Sequence, residues 1–237
     1  MKKYVVILGI TIGTSSLLLI GVLALMGHVG MYIADPGFQY SYSVATRDAK
    51  VVFVMIGPKA PENYEPILRD DPMIETRRLQ NIYRVSGLYR NNGSTSPLWV
   101  LEGALPAQYS SKVFLSSDGR YLAKMGWWAD EVTSEALAFY KDGKLLKSFS
   151  VKDLTTAAWF LPGGRQHYDW NREIKFDDES KTLFVRTEHF DELVFDITTG
   201  TIRSTFHPVS TTGFATFGVS IILLLILFRK RMTRRTT

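Results

Sequence analysis

Residues Val113–Met125 read "VFLSSDGRYLAKM", two apolar stretches around a polar turn. Their composition predicts a pair of strands, and Asp118-Gly119 between them predicts a tight reversal. Further on, 174–185 reads "IKFDDESKTLFV", again strand, polar turn and strand, with Val113 and Ile174 offset by 61 residues. A second pair follows each copy, "ALAFYKDGKLLKSF" at 136–149 and "LVFDITTGTIRSTF" at 193–206. Phe139 and Phe195 stand 56 apart, and Gly143 with Gly200 and Phe149 with Phe206 stand 57 apart. This spacing predicts a duplicated four-strand meander, with one unit at 113–149, a second at 174–206 and a more divergent third at 51–102.

Upstream, "YSYSVA" (40–45) and "VVFVMI" (51–56) are rich in β-branched and aromatic residues and read as strands. Asn92-Gly93 predicts a two-residue hairpin turn with both φ angles positive; Asp118-Gly119 and Asp142-Gly143 carry the same signal, and Thr199-Gly200 a weaker one. Between 58 and 81, Pro58, Pro61, Pro66 and Pro72 break any long helix, leaving about two helical turns in "MIETRRLQN" (73–81). A loop of that length points to function or interaction.

The stretch "FLSSDGRYLA" (114–123) resembles the strand-turn-strand of WD40-like and TolB-like β-propeller blades, and "VFDITTGTI" (194–202) is similar to their closing hairpin. The two motifs and their copies cover about a third of the chain. No Trp-Asp pair closes the unit, and three units are fewer than the four to eight blades of a ring. The resemblance implies blade-like sheets in a sandwich or an open, incomplete propeller, with a full ring needing several chains. It also implies a binding or scaffolding surface, although a fold by itself does not specify an activity.

The ends of the 237-residue chain have a different composition. Tyr4–Gly27 holds 24 residues without a charge, and Val209–Phe228 holds 20. At 1.5 Å per residue the first run is about 36 Å long, enough for a hydrocarbon core of about 30 Å. Lys2 and Lys3 also suit a cleaved secretory signal, but such signals have a shorter apolar region and a small-x-small cleavage site, so a retained anchor is the preferred reading. The expected organisation is an anchor at 1–30, an extracytoplasmic β domain at 31–208, a second transmembrane helix at 209–228 and a basic tail at 229–237. The fold class is therefore a mainly β domain of repeated antiparallel meanders flanked by two transmembrane α-helices.

Seven of the 28 basic residues lie in the two tails, whereas all 23 acidic residues fall between Asp35 and Asp196, leaving the intervening segment at net −2. That segment has no basic excess to neutralise phosphates, which argues against nucleic acid as a partner. Basic flanks stay cytoplasmic, so both termini are expected inside and the main domain outside, in the cytoplasmic membrane of a bacterium. There is no cysteine, so the domain must be held together by burial.

Chemistry-bearing motifs are sparse. His167 with Asp169, and His189 with Glu188, Asp191 and Glu192, are the nearest approach to metal ligands, but a zinc site needs three or four converging groups and no metal or cofactor is expected. No G-x-S-x-G elbow or phosphate loop occurs. A hydrolase would require His167, Asp169, Glu188 or Asp191 to converge.

Trp127, Trp128, Trp159, Tyr168 and Trp170 form the sharper lead, as a protein-binding or sugar-stacking face weighed against ordinary core packing. Gly9 with Gly13, and Thr212, Thr216 and Ser220, are spaced for close helix packing within the apolar runs. The expected function is non-catalytic: an accessory or scaffold subunit whose β domain binds protein. Its partners would be another membrane protein or complex, membrane lipid, or further copies in a homo-oligomer. The alternatives are an envelope glycan-binding module and the hydrolase.

Overall fold

The computed structural model describes residues 40–59, 71–102, 112–126, 131–155 and 170–208, the backbone of 128–129 and 168–169, and Ile226. Among the described residues no helix is long and apolar enough to cross a membrane; apart from Ile226, both apolar runs lie outside them.

Among the described residues, three four-stranded antiparallel sheets and one two-stranded pair make up the domain. Sheet 1 contains β1 (Tyr42–Ala45), β2 (Val51–Met55), β3 (Gly87–Arg90) and β4 (Pro97–Val100), hydrogen-bonded in chain order. Sheet 2 contains β5 (Lys112–Leu115), β6 (Tyr121–Met125), β8 (Glu135–Lys141) and β9 (Lys144–Ser150), with β7 (Trp128–Ala129) set aside. Sheet 3 contains β11 (Asn171–Asp177), β12 (Thr182–Thr187), β13 (Glu192–Asp196) and β14 (Thr201–Phe206). The short β7 pairs with β10 (Tyr168–Asp169), linking the loops before β8 and β11. Helix α1 (Pro72–Ile82) lies between β2 and β3, and the one-turn α2 (Val151–Leu154) follows β9.

The first unit therefore starts at Tyr42 and not at 51. Its opening turn explains the assignment. Thr46 N donates to Val51 O (3.0 Å), Ala49 N donates to Thr46 O (2.8 Å), and the Asp48 carboxylate accepts from Thr46 Oγ1 (2.9 Å) and Lys50 N (3.2 Å). In sheet 2, Ser116, Asp118, Gly119, Arg120 and Tyr121 repeat these bonds. The shared pattern Thr/Ser-x-Asp-Ala/Gly-Lys/Arg lets a hydroxyl and a carboxylate satisfy the turn's own amides.

The register aligns the units position by position. Asn91, Asp142 and Ile197 each donate their amide to the residue that closes the preceding turn, Lys50, Arg120 and Lys181. Each sheet then has a bulge at the same place against its last strand: Leu88/Tyr89, Phe139/Tyr140 and Val194/Phe195. The structural equivalent of Phe139 is thus Val194, 55 residues on, and the equivalent of Phe195 is Tyr140. The expected match of Phe139 with Phe195 is shifted by one because the turn at 197–200 is two residues longer than Asp142-Gly143.

The turns divide likewise. Asp142 (φ 50) and Gly143 (φ 84) form the expected pair of positive φ angles. Around Asn92-Gly93 only Gly93 is positive, because β3 and β4 are joined by six residues and Asn92 Oδ1 accepts from Ser94 N (3.1 Å). At Asp118-Gly119 only Gly119 is positive, since Asp118 is held by its side-chain bonds.

Alternation along the strands sends successive side chains to opposite faces, and the sheets stack face to face. Phe53, Met55 and Leu88 of sheet 1 meet Leu122, Ala138 and Tyr140 of sheet 2. The other face of sheet 2, with Ala123, Met125, Leu137 and Phe139, meets Leu183, Val185, Leu193 and Phe195 of sheet 3. Phe139, Phe149 and Phe195 lie 5.2–6.2 Å apart between ring centroids, Phe149 edge-on to the other two. Such pairs add about 0.5–1.5 kcal/mol each to the burial of their rings.

Both outward faces are finished. On sheet 1, Val52, Val54 and Tyr89 pack with Leu79 of α1. This helix runs three turns instead of the expected two, because Asp71 caps it by accepting from Met73 N (2.9 Å) and Pro72 takes its first position. Its Met73, Thr76 and Leu79, three apart, form the buried stripe. On sheet 3 the outward face carries Arg186 bonded to Glu173 and Glu192 (2.8 Å each), with Arg186 and Lys175 over the Phe184 ring.

Candidate functional site

Four strands running up and down return the chain to the end where it started. Within each sheet the first strand begins and the fourth strand finishes at the same end of the ladder, here the exit end; the opposite end carries the hairpin turns 46–50, 91–96, 116–120, 142–143, 178–181 and 197–200. The end of β4 reaches the 142–143 tip of sheet 2, where Glu102 N donates to Gly143 O (2.7 Å). Tyr42 opens β1 and Phe206 closes β14, each at the exit end of its own sheet.

The turn end is internally satisfied and interlocked. The Lys50 amide, the Lys50 ammonium and the Thr46 hydroxyl hold the Asp48 carboxyl down to about 2. Arg120 likewise lowers Asp142, which it meets at 3.1 Å. Asp178 accepts from Ser117 N (3.0 Å) and from Lys181 Nζ (2.5 Å), tying the turn of sheet 3 to that of sheet 2. Burial pushes its carboxyl upward, but the Lys181, Ser117 and backbone bonds outweigh this and its pKa is lowered. A Cβ on Gly143 would strike the Val100 carbonyl oxygen, and one on Gly200 would stand 3.0 Å from Lys147 Cβ, so each hairpin tip rests on the preceding sheet. Carboxylates committed in this way are poorly placed to ligate a metal, and among the described residues no group of three His, Asp or Glu side chains is arranged to hold one.

The exit end is different. A buried polar cluster closes it: Asp191, fully buried, accepts from Thr155 Oγ1 (2.9 Å), lies 2.9 Å from His207 Nδ1, and its amide donates to Thr187 Oγ1 (3.1 Å). The cluster ties the segments after β9 and after β14 to the turn between β12 and β13. Its place inside the protein suits a structural clasp, since a buried carboxylate needs such partners to be tolerated. Among the described residues the exposed aromatic side chains are Phe190 (45%) and Phe206 (53%), and both lie at this end. Phe190 adopts φ 62, a conformation costing a residue with a Cβ about 1–2 kcal/mol. The Arg172 guanidinium stands 4.9 Å over its ring.

A third surface is the rim of fourth strands, where Leu98, Val100, Leu145, Leu146 and Ile202 are exposed, while the first strands β1 and β5 approach one another on the opposite side. The repeated bulges blunt this rim as a template for further strand pairing.

Of the aromatic candidates, Trp170 is a core residue: it is 0% exposed and its indole N–H donates to Gly126 O (2.9 Å). Its neighbours pack it because it stands where the chain passes from the β7–β10 bridge into β11. Trp128 and Tyr168 lie on β7 and β10, and the register sets Tyr168 opposite Ala129; their side chains, with Trp127 and Trp159, lie outside the described residues, as do Gly9, Gly13, Thr212, Thr216 and Ser220. His167 and the Asp169 side chain also lie outside.

Three residues escaped the sequence reading. Trp99 donates its indole N–H to Gly119 O (3.0 Å), joining sheet 1 to the first turn of sheet 2. Lys124 is largely buried and meets Glu135 at 3.4 Å. His207 was legible in principle: pairing Glu192 with Phe206 sets residue 207 beside Asp191.

No family model and no curated protein matches the chain. Among solved structures it is similar to that of U3-55K, at 14% identity over 73% of this chain and 40% of that one, with a TM-score of 0.33. It is also similar to the RRP9 WD40 repeats, at 16% identity over 73% of this chain and 39% of that one, with the same TM-score. The chain spans about two fifths of the length of these structures. The three four-stranded antiparallel sheets are compatible with blade repeats.

Proposed function

We propose that the chain is a two-span protein of a bacterial cytoplasmic membrane, with both termini inside, whose β domain binds protein on the outer side as a non-catalytic accessory or scaffold subunit. One observation carries this reading: the first strand begins and the last strand finishes at the same end of their ladders, so two flanking spans can enter one membrane while the rim side chains exposed among the described residues face a partner. The apolar runs at 4–27 and 209–228 support the membrane assignment by composition. The Asp191 cluster favours a structural over a catalytic role, because its carboxylate is enclosed and its contacts are spent on joining segments. The charged outward face of sheet 3 favours an open three-sheet stack in one chain over a propeller ring completed by further copies.

Purification of the tagged full-length chain from its native membrane in mild detergent tests the reading. A stoichiometric membrane protein that is lost when Leu98, Leu145 and Ile202 are together replaced by serine is the expected result. A chain that runs alone, with every candidate partner complex assembling normally in its absence, refutes the accessory role.

A further inference from the structure

The exit end has a second property, which rests on the two-span reading above. Phe206 is the last residue of β14 and Val209 opens the second uncharged run. Three residues reach about 10 Å when fully extended. With 209–228 across the bilayer, the end of β14 therefore stands within about 10 Å of the hydrocarbon, close to the depth of a headgroup layer, about 5–8 Å.

We propose that the exit end is a lipid-docking surface, with Phe190 and Phe206 seated in the headgroup layer of the bilayer and Arg172 beside them. Glu192 pairs with Phe206 across the ladder, so Phe190, two residues before Glu192, lies at the same end of sheet 3. Among the described residues the exposed aromatic side chains lie at this end, and the hairpin turns opposite have none. Phe190 keeps its ring outward from a positive-φ position that glycine or asparagine fills with less strain, so folding of the domain alone does not account for a phenylalanine there. Arg172 over the ring supplies a cation for lipid phosphates, and an aromatic ring with a basic side chain is the combination favoured at a membrane interface. Val85, exposed where the chain enters β3, lies at the corresponding end of sheet 1. Docking would hold the stack upright on the membrane and direct the hairpin turns outward.

The absence of cysteine makes a direct test practical, because one introduced cysteine takes one fluorophore. Full-length F190C and F206C, with N92C and E179C as references at the turn end, are labelled with an environment-sensitive dye. They are then placed in nanodiscs whose lipid carries a nitroxide near the headgroup. The expected result is loss of most of the emission at 190 and 206 and of almost none at 92 and 179. Equal quenching at both ends, or none at 190 and 206, overturns the proposal. Emission at 190 or 206 that is blue-shifted yet unquenched assigns the surface to a protein partner and also overturns it. An alkaline wash that strips the unlabelled chain from the lipid refutes the two-span reading and this proposal together, so the two failures are distinguishable.

Discussion

Sheets 2 and 3 share strand order, register and bulge position, yet one is an interior layer and the other an end. At the positions facing the next layer, sheet 2 carries Met125, Leu137 and Phe139, all buried. The equivalent positions of sheet 3 are Arg186, Glu192 and Val194, with Arg186 bonded to Glu192. The backbone ladder is thus indifferent to its place in the stack, and the side chains of one face decide whether another sheet follows. The same logic holds at the other end, where α1 covers Val52, Val54 and Tyr89.

The sharpest way to break this comparison is to truncate equivalent positions. Phe139→Ala removes a ring enclosed between two sheets and is expected to cost about 3–5 kcal/mol, whereas Val194→Ala, on the outward face, should cost about 1 kcal/mol or less. Denaturant unfolding of the full chain in detergent measures both, and equal losses would abolish the distinction between interior and terminal sheet. Next in size is Gly143→Ala, which combines a left-handed conformation with collision against the Val100 carbonyl; a loss of about 2–4 kcal/mol is expected. Gly93→Ala, also at positive φ but with open space around it, should lose only about 1–2 kcal/mol. Parity of the two glycine variants would show that the hairpin tips do not bind the sheets together.

Thr155→Val takes a hydrogen bond from buried Asp191 and should lower stability by about 1–2 kcal/mol, seen as a fall in unfolding temperature. Arg186→Met combined with Glu192→Leu gives sheet 3 the side chains that sheet 2 turns toward its neighbour. Stability should change by less than about 1 kcal/mol, since a half-exposed ion pair contributes little. Sedimentation should show self-association, because the stack then ends on an apolar face. A variant that stays monodisperse would mean that the charged face is not what terminates the stack.

The smallest effect is an acid dependence at the turn end. Asp48 has its carboxyl lowered to about 2 in the fold from an ordinary value near 3.8. A depressed carboxylate stabilises the fold above its unfolded pKa, and that contribution fades as pH falls from about 4 toward 2. Asp48→Asn should therefore lower stability slightly at neutral pH, with the difference from the unsubstituted chain fading as pH falls from about 4 toward 2.

Much of the architecture was readable from local patterns, because strands and turns obey rules of short range. Alternation located most strands, and Asp142-Gly143 formed the turn that its residue types require. The first unit was cut short because its opening turn has Ala49 in place of glycine, although Thr46, Asp48 and Lys50 mark it as plainly as Ser116, Asp118 and Arg120 mark the second. The candidate site was less legible. Tryptophans were offered as a face, and Trp170 proved to be core, since a bulky ring beside a strand suits either environment and only its neighbours choose.

By itself, then, the sequence determined the β class, the repeat and the uncharged runs, each expressed in residues near one another along the chain. Tertiary structure alone decided which faces meet, why Phe139 lies against Phe195 while being equivalent to Val194, and that Phe190 and Phe206 share one end of sheet 3. Those relations depend on register and on the even number of strands in each sheet, which together convert distant positions into neighbours.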